Sequence, residues 1–377
     1  MTTVRRRRLA AALALACLGA AGIATAPAAA AAPTTFIGPF NTVQTLASTV
    51  PKNGDVNPYG VAVAPVTKGL LTAGDVLVSN FNNHRNLQGT GTTIVEISPA
   101  TGNVSLFASL APNKLPGACP GGLGFTTALV ALSSGFVVVG SLPTKDGSSA
   151  TMQAGCLIVV NSMGKPIETI ANGPINGPWD LTSSNFFGGL VTVLYVSNVL
   201  NGTVAAEPAT VNGGTVVRIV LVNLPGVAPK VVLENVIATG FPERTDEGAL
   251  VVGPTGLAVS GNSLMHQTLY VNDTDQNRIA EVPNALLRFA PATGGGATVT
   301  QGGDISDPLG MTLAPNGNIL TANGENAKIV ETAPNGKEVA SFATEVGPGG
   351  LFGLAITPNK QAITLVNDNL NELDLLH

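Results

Sequence analysis

Short apolar and β-branched runs recur along the chain, separated by turn signals and never by stretches of helical period. Asp307 to Glu331 shows the pattern in its most compact form. Met311 to Ala314 reads as a strand, Pro315-Asn316-Gly317 as a turn, and Asn318 to Ala322 as a second strand. Asn323 to Asn326 turns the chain into a third strand, Lys328 to Glu331, and Asn335-Gly336 leads into a fourth, Glu338 to Ala343. Four antiparallel strands of this size cannot bury both of their faces, so the unit needs neighbours of its own kind.

The rest of the chain supplies them. Related units begin at Asn57, Pro120, Gly177, Gly253 and Gly349. The last one stops at His377 after three strands. One spare strand, Asn41 to Ser48 (NTVQTLAS), resembles the fourth strands VSLFAS and EVASFA of two other units. The economical solution is an all-β fold, a six-bladed β-propeller, in which the N-terminal strand completes the last blade and leaves only short, protected sheet edges.

The start of the chain is different. Arg5 to Arg8 are followed by an Ala- and Leu-rich run from Leu9 to Ile23 and by Ala28-Ala29-Ala30. This pattern predicts a signal peptide over residues 1–32, a single propeller domain over 33–377, and a secreted protein, periplasmic or extracellular. Without the four leader arginines, 14 basic residues face 23 acidic ones, a net charge of roughly −9. With no basic cluster, nucleic acid and anionic membrane surfaces are poor partners; an unidentified protein or small molecule is expected, and the chain is read as a monomer. Cys119 and Cys156 remain after leader removal, and in an exported protein they are expected to form a disulfide.

The fourth unit carries a resemblance. Its residues Pro254, Gly256, Leu257, Ala258, Tyr270, Asp273, Asn277, Arg278 and Ile279 are similar to the NHL repeat. The other units match more loosely. The resemblance implies the propeller fold and not one activity, because such propellers include binding modules, lyases and hydrolase-like enzymes.

In a propeller, the loop entering each first strand and the loop joining strands two and three share a face. That face gathers the candidate ligand-binding residues Asn57, Asn80, Asn82, Arg85, Trp179, Asp180, Asn198, Asp273 and Asn323; other polar residues on it are Asn83, His84, Ser141, Asp275, Asp307, Glu325, Asn367 and Asp368. Its loops are long in units one to three and short in units four to six, which predicts a one-sided cleft. His84 is a weak catalytic candidate. Calcium would suit the oxygen ligands Asp180, Asn198, Asp273 and Asn323 at the channel mouth. Calcium-dependent propeller hydrolases resemble this arrangement, but they carry a Glu at the start of the first blade where this chain has Asn57. Against these readings, Asn and Asp at strand ends commonly cap backbone groups, and Trp179 suits a core anchor. The sequence thus favours a secreted ligand- or protein-binding module acting through the loop face at the channel mouth. The alternative is a calcium-dependent propeller hydrolase or lactonase. There is no G-x-S-x-G elbow and no phosphate-cradling loop.

Overall fold

Six antiparallel sheets make up the computed structural model, which describes residues 34–261 and 263–377. The expected signal peptide lies outside the described residues. The innermost strands, in blade order, are Val56–Val63, Phe125–Ala131, Pro178–Phe186, Pro254–Ser260, Pro308–Leu313 and Leu351–Ile356. Each contacts the innermost strands of the blades before and after it, and blade 6 returns to blade 1. The ring is therefore closed.

Closure uses the strand expected from the sequence. Val43–Ser48 pairs antiparallel with Glu372–Leu376, Val43 opposite Leu376 and Ser48 opposite Glu372. A second clamp precedes it. The backbone N–H groups of Phe36 and Ile37 donate to the buried Glu331 carboxylate of blade 5 at 2.7–2.9 Å, and Asn316 and Asn318 donate to the same group.

The core lies between blades. Leu77, Ile94 and Phe107 of blade 1 pack with Phe125, Leu129, Val139 and Ile158 of blade 2. The bond Cys119–Cys156, with a Cα–Cα distance of 5.3 Å, fastens the loop entering blade 2 to that blade's third strand. Among the described residues, no helix is long and apolar enough to cross a membrane.

Every innermost strand carries a register shift near its start, for example between Pro254 and Leu257 and between Pro308 and Met311. Such bulges bend a strand sharply and re-aim its side chains. Here they let neighbouring first strands approach closely: a Cβ built on Gly310 would lie 2.0 Å from the Phe352 carbonyl oxygen.

The main departure from the sequence reading is in blade 3. The repeat predicts four strands in this blade and no further strand before the next unit begins at Gly253. The structure continues the fourth strand as Lys230–Asp246 and returns it as Leu250–Val252. Asp246 Oδ1 accepts the N–H groups of Gly248 and Ala249, both at 2.9 Å, and thereby makes the turn. Blade 4 also has an outer strand that the pattern did not show, Ala297–Gln301.

Candidate functional site on the loop face

The returning segment of blade 3 forms a strap across the loop-face end of the axis. Ala249, Leu250, Val251 and Val252 are buried among Tyr59, Trp179, Leu309 and Phe352, which come from the innermost strands of blades 1, 3, 5 and 6. A segment that touches those four blades must lie on the axis. Tyr59 stacks between Phe81 and Phe352 and donates its hydroxyl to the Gly248 carbonyl at 3.1 Å. Trp179 donates Nε1–H to the Val251 carbonyl at 2.9 Å. Trp179 is thus a core anchor beneath the strap and presents no surface to a ligand at the mouth.

Polar groups gather around the strap. At the seam of blades 6 and 1, Asn57 meets Asp368. With its amide rotated so that nitrogen faces the carboxylate, Asn57 donates to both oxygens, 2.9 Å to Oδ2, and accepts from Asn82 Nδ2 at 2.8 Å. Amide orientation is assigned from such partners. In the opposite orientation the amide oxygen faces the carboxylate, which only a cation between them would stabilise. Asn57 has a φ of 64°, and its own N–H is held by Asn371 Oδ1 at 2.7 Å. Asn82 Oδ1 is buried without a partner, while its nitrogen also reaches Asn86 Oδ1 at 2.7 Å. Burial pushes the Asp368 carboxyl up to about 7.

A second group lies at the seam of blades 4 and 5. Arg244 of the strap donates to Asp246 at 2.7 Å and to Asp275 at 2.8 Å. Burial, helped by the negative charge of Asp246, lifts Asp307 to about 6, although Arg244 opposes it. Inside the strap, Glu243 is raised to about 7 by burial while accepting from Asn201 N–H at 2.7 Å and Thr203 Oγ1 at 3.0 Å.

The long loops of blades 1 to 3 wall one side, as their lengths predict. Between them and the strap lie open clefts of about 340 Å³ and 570 Å³, bordered by Asp146, Glu207, Asp246 and Glu247. His84 and Arg85 are exposed on the blade 1 loop.

Each of the four expected calcium ligands is engaged with groups of the protein itself. Asn198 Oδ1 accepts the N–H groups of Asn176 and Gly177, so it shapes the loop entering its own blade. Asp273 is paired with Arg278 at 2.5 Å. Asn323 donates to Asp304 O and Asn326 Oδ1. Asp180 points away from the loop face and lines the channel beyond the strap, where its Oδ2 accepts Leu257 N–H at 3.0 Å. Asn80 is buried and donates to Thr49 O and Thr93 Oγ1. Among the described residues, no three His, Cys, Asp or Glu side chains are grouped to hold an ion. What converges is one carboxylate with two amides: Asp368, Asn57 and Asn82. The strap residues Asp246 and Glu243 had no sequence signal beyond their charge.

The comparisons with solved structures follow this geometry. A gluconolactonase from Xanthomonas campestris superposes with a TM-score of 0.54, at 14% identity over 90% of both chains. The fold the two share is the six-bladed β-propeller. A calcium-binding regucalcin from Agrobacterium tumefaciens gives 0.53 at 12% identity, over 87% of this chain and 92% of that one. A luciferin-regenerating enzyme gives 0.52 at 11% identity, over 89% and 94%. No protein-family model and no curated relative matches the sequence, so the NHL resemblance gains no support from them. Likeness at this level of identity establishes architecture alone.

Proposed function

We propose that the protein is a hydrolase of small cyclic esters, of the lactonase kind, assisted by calcium and working on the loop face at the seam of blades 6 and 1. The observation that carries this reading is the meeting of Asn57 and Asp368. Asn57 stands where calcium-dependent propeller hydrolases have Glu, and Asp368 of blade 6 supplies the missing carboxylate at the same spot. Asp368, Asn57 and the unpartnered Asn82 Oδ1 are hard oxygen donors, the type calcium prefers. These three would hold the ion, and loop carbonyls or water would complete its shell. When bound, the ion would supply Lewis-acid polarisation of the ester carbonyl.

The chain's own residues do the rest of the preparation. Asn371 fixes the backbone of Asn57, so the amide is presented in one place. Asp368 is half-buried, which keeps its carboxylate poised near neutrality while still reachable from solvent. The strap closes the axis, so the substrate approaches from the loop side, against the wall of long loops. The lactonase and regucalcin architectures support this assignment without showing it.

A second reading, a binding module without chemistry, is favoured by the apolar strap that fills the mouth and by the open acidic clefts beside it. The deciding experiment is hydrolysis of gluconolactone and γ-butyrolactone, followed by pH-stat with millimolar calcium and with EDTA. The hydrolase reading expects turnover that EDTA abolishes and that Asp368→Asn lowers by at least about tenfold. Absence of turnover on a panel of small lactones, with or without calcium, would leave the binding module.

A further inference from the structure

Beneath the strap, the axis is not filled. A blind channel of about 390 Å³ runs between the innermost strands and opens at the opposite face, where strands one and two of each blade join. Its walls are mixed: Val61, Leu129, Val259, Met311 and Leu354 line it, but Thr127, Thr182, Ser183, Thr312 and backbone groups make at least half of the lining surface polar, and Asp180 is its sole ionisable side chain.

The placement of Asp180 is unusual within the repeat. At the closest approach of neighbouring first strands, blades 1, 4, 5 and 6 have Gly60, Gly256, Gly310 and Gly353. Close packing excludes a side chain there: a Cβ on Gly256 would lie 2.3 Å from Leu309 O, and one on Gly353 would lie 2.3 Å from Tyr59 O. Blade 3 puts a carboxylate at this level. Its Oδ2 reaches across to Leu257 N–H of blade 4, and no Lys or Arg pairs with it among the described residues. Asp180 is 9% exposed, and what it exposes faces the channel. Burial raises its carboxyl to about 7. An unpaired carboxylate in such surroundings is costly, and an incoming cation offsets that cost.

We propose that the axial channel binds a small organic ammonium, a compact primary or secondary amine, with Asp180 as its counter-ion. A metal ion fits poorly, because Asp180 is the channel's one anionic donor, whereas calcium is usually held by several carboxylates among its six to eight oxygens. An anion is repelled. A neutral molecule of the same size leaves the charge unpaired. A compact alkyl or cycloalkyl ammonium pairs the charge while its carbon body meets Val61, Leu129, Val259, Met311 and Leu354. This site lies at the other end of the axis from the seam of blades 6 and 1 and is independent of the hydrolase reading.

The test uses the mature chain in EDTA, so that the loop face plays no part. Cyclohexylamine, n-butylamine and, as the neutral control, cyclohexanol are titrated by calorimetry and by thermal melting. The amines should bind and raise Tm, and cyclohexanol should not. Because the amines stay protonated, affinity should rise about tenfold per pH unit below pH 7 and level off above it, as Asp180 ionises. Asp180→Asn keeps an acceptor for Leu257 N–H and should lose the amine response. Thr312→Trp narrows the channel with the carboxylate intact and should lose it too, whereas Asp368→Asn should retain it. Equal responses to cyclohexylamine and cyclohexanol, an undiminished response in Asp180→Asn, or an affinity flat between about pH 5.5 and 8 would overturn the proposal. If Asp180→Asn does not fold, the pH series and Thr312→Trp decide it alone.

Discussion

Four carboxyl groups set the behaviour of the molecule at the residue scale. Asp180, Glu243 and Asp368 are raised to about 7 and Asp307 to about 6, in each case chiefly by burial. A carboxyl raised in the folded state holds its proton more tightly there than in the unfolded chain. The stability it contributes is complete below the unfolded value near 4 and is lost as pH climbs through the folded value. The protein should therefore melt at a higher temperature near pH 5 than near pH 8, as measured by scanning calorimetry. Each unit of raise corresponds to about 1.4 kcal/mol. Asp180→Asn removes one of these groups and should flatten the profile between about pH 4 and 7; an unchanged profile would mean that Asp180 titrates normally. Glycine positions are equally exacting. Gly310→Ala places a methyl against Phe352 O and should cost on the order of 3 kcal/mol in urea unfolding, with a loss below 1 kcal/mol speaking against the tight first-strand contact.

At the element scale, the strap is what the sequence did not disclose. The repeats were legible because turn residues and short β runs return at regular spacing, and Val43–Ser48 could be matched to a missing fourth strand by its similarity to VSLFAS. The segment from Val236 to Val252 fits no repeat: at its end Ala249, Leu250, Val251 and Val252 are buried against four blades at once, a contact that no local pattern encodes. The expected calcium ligands show a related ambiguity. A polar residue at the end of a strand looks the same whether it binds an ion or a backbone amide, and Asn198 does the latter. The meeting of Asn57 with Asp368 exists only because opposite ends of the chain close one ring. Asn57 and Asn82 were visible as candidates, whereas Asp368 was one of several acidic residues on the face until closure put it beside them. The strap has its own test. Trp179→Phe leaves the Val251 carbonyl buried without its donor and should cost roughly 1–3 kcal/mol. It should also raise protease cleavage near Glu247 and Gly248. Wild-type stability and cleavage would show that the strap does not depend on this bond.

At the scale of the whole molecule, the ring is held by two devices far from the proposed site. One is the N-terminal segment, which pairs with Glu372–Leu376 and clamps onto Glu331. Deleting residues 34–48 should open blade 6 and destabilise all blades together, so that a single cooperative melt moves to lower temperature; an unshifted melt would contradict closure. The other is the Cys119–Cys156 bond, which closes a 37-residue separation. Its reduction should cost about 3–4 kcal/mol in the chain-entropy account. The N-terminal segment completes blade 6 and leads directly into blade 1, and the proposed ion site lies at that seam. The most direct measurement is a calcium titration by calorimetry of wild type and Asp368→Asn, paired with thermal melts. The account predicts one ion per wild-type chain, with a Kd of about 10⁻⁴–10⁻³ M, a rise in Tm, and neither effect in the variant. No heat and no shift in wild type at millimolar calcium, or equal binding by the variant, would contradict it.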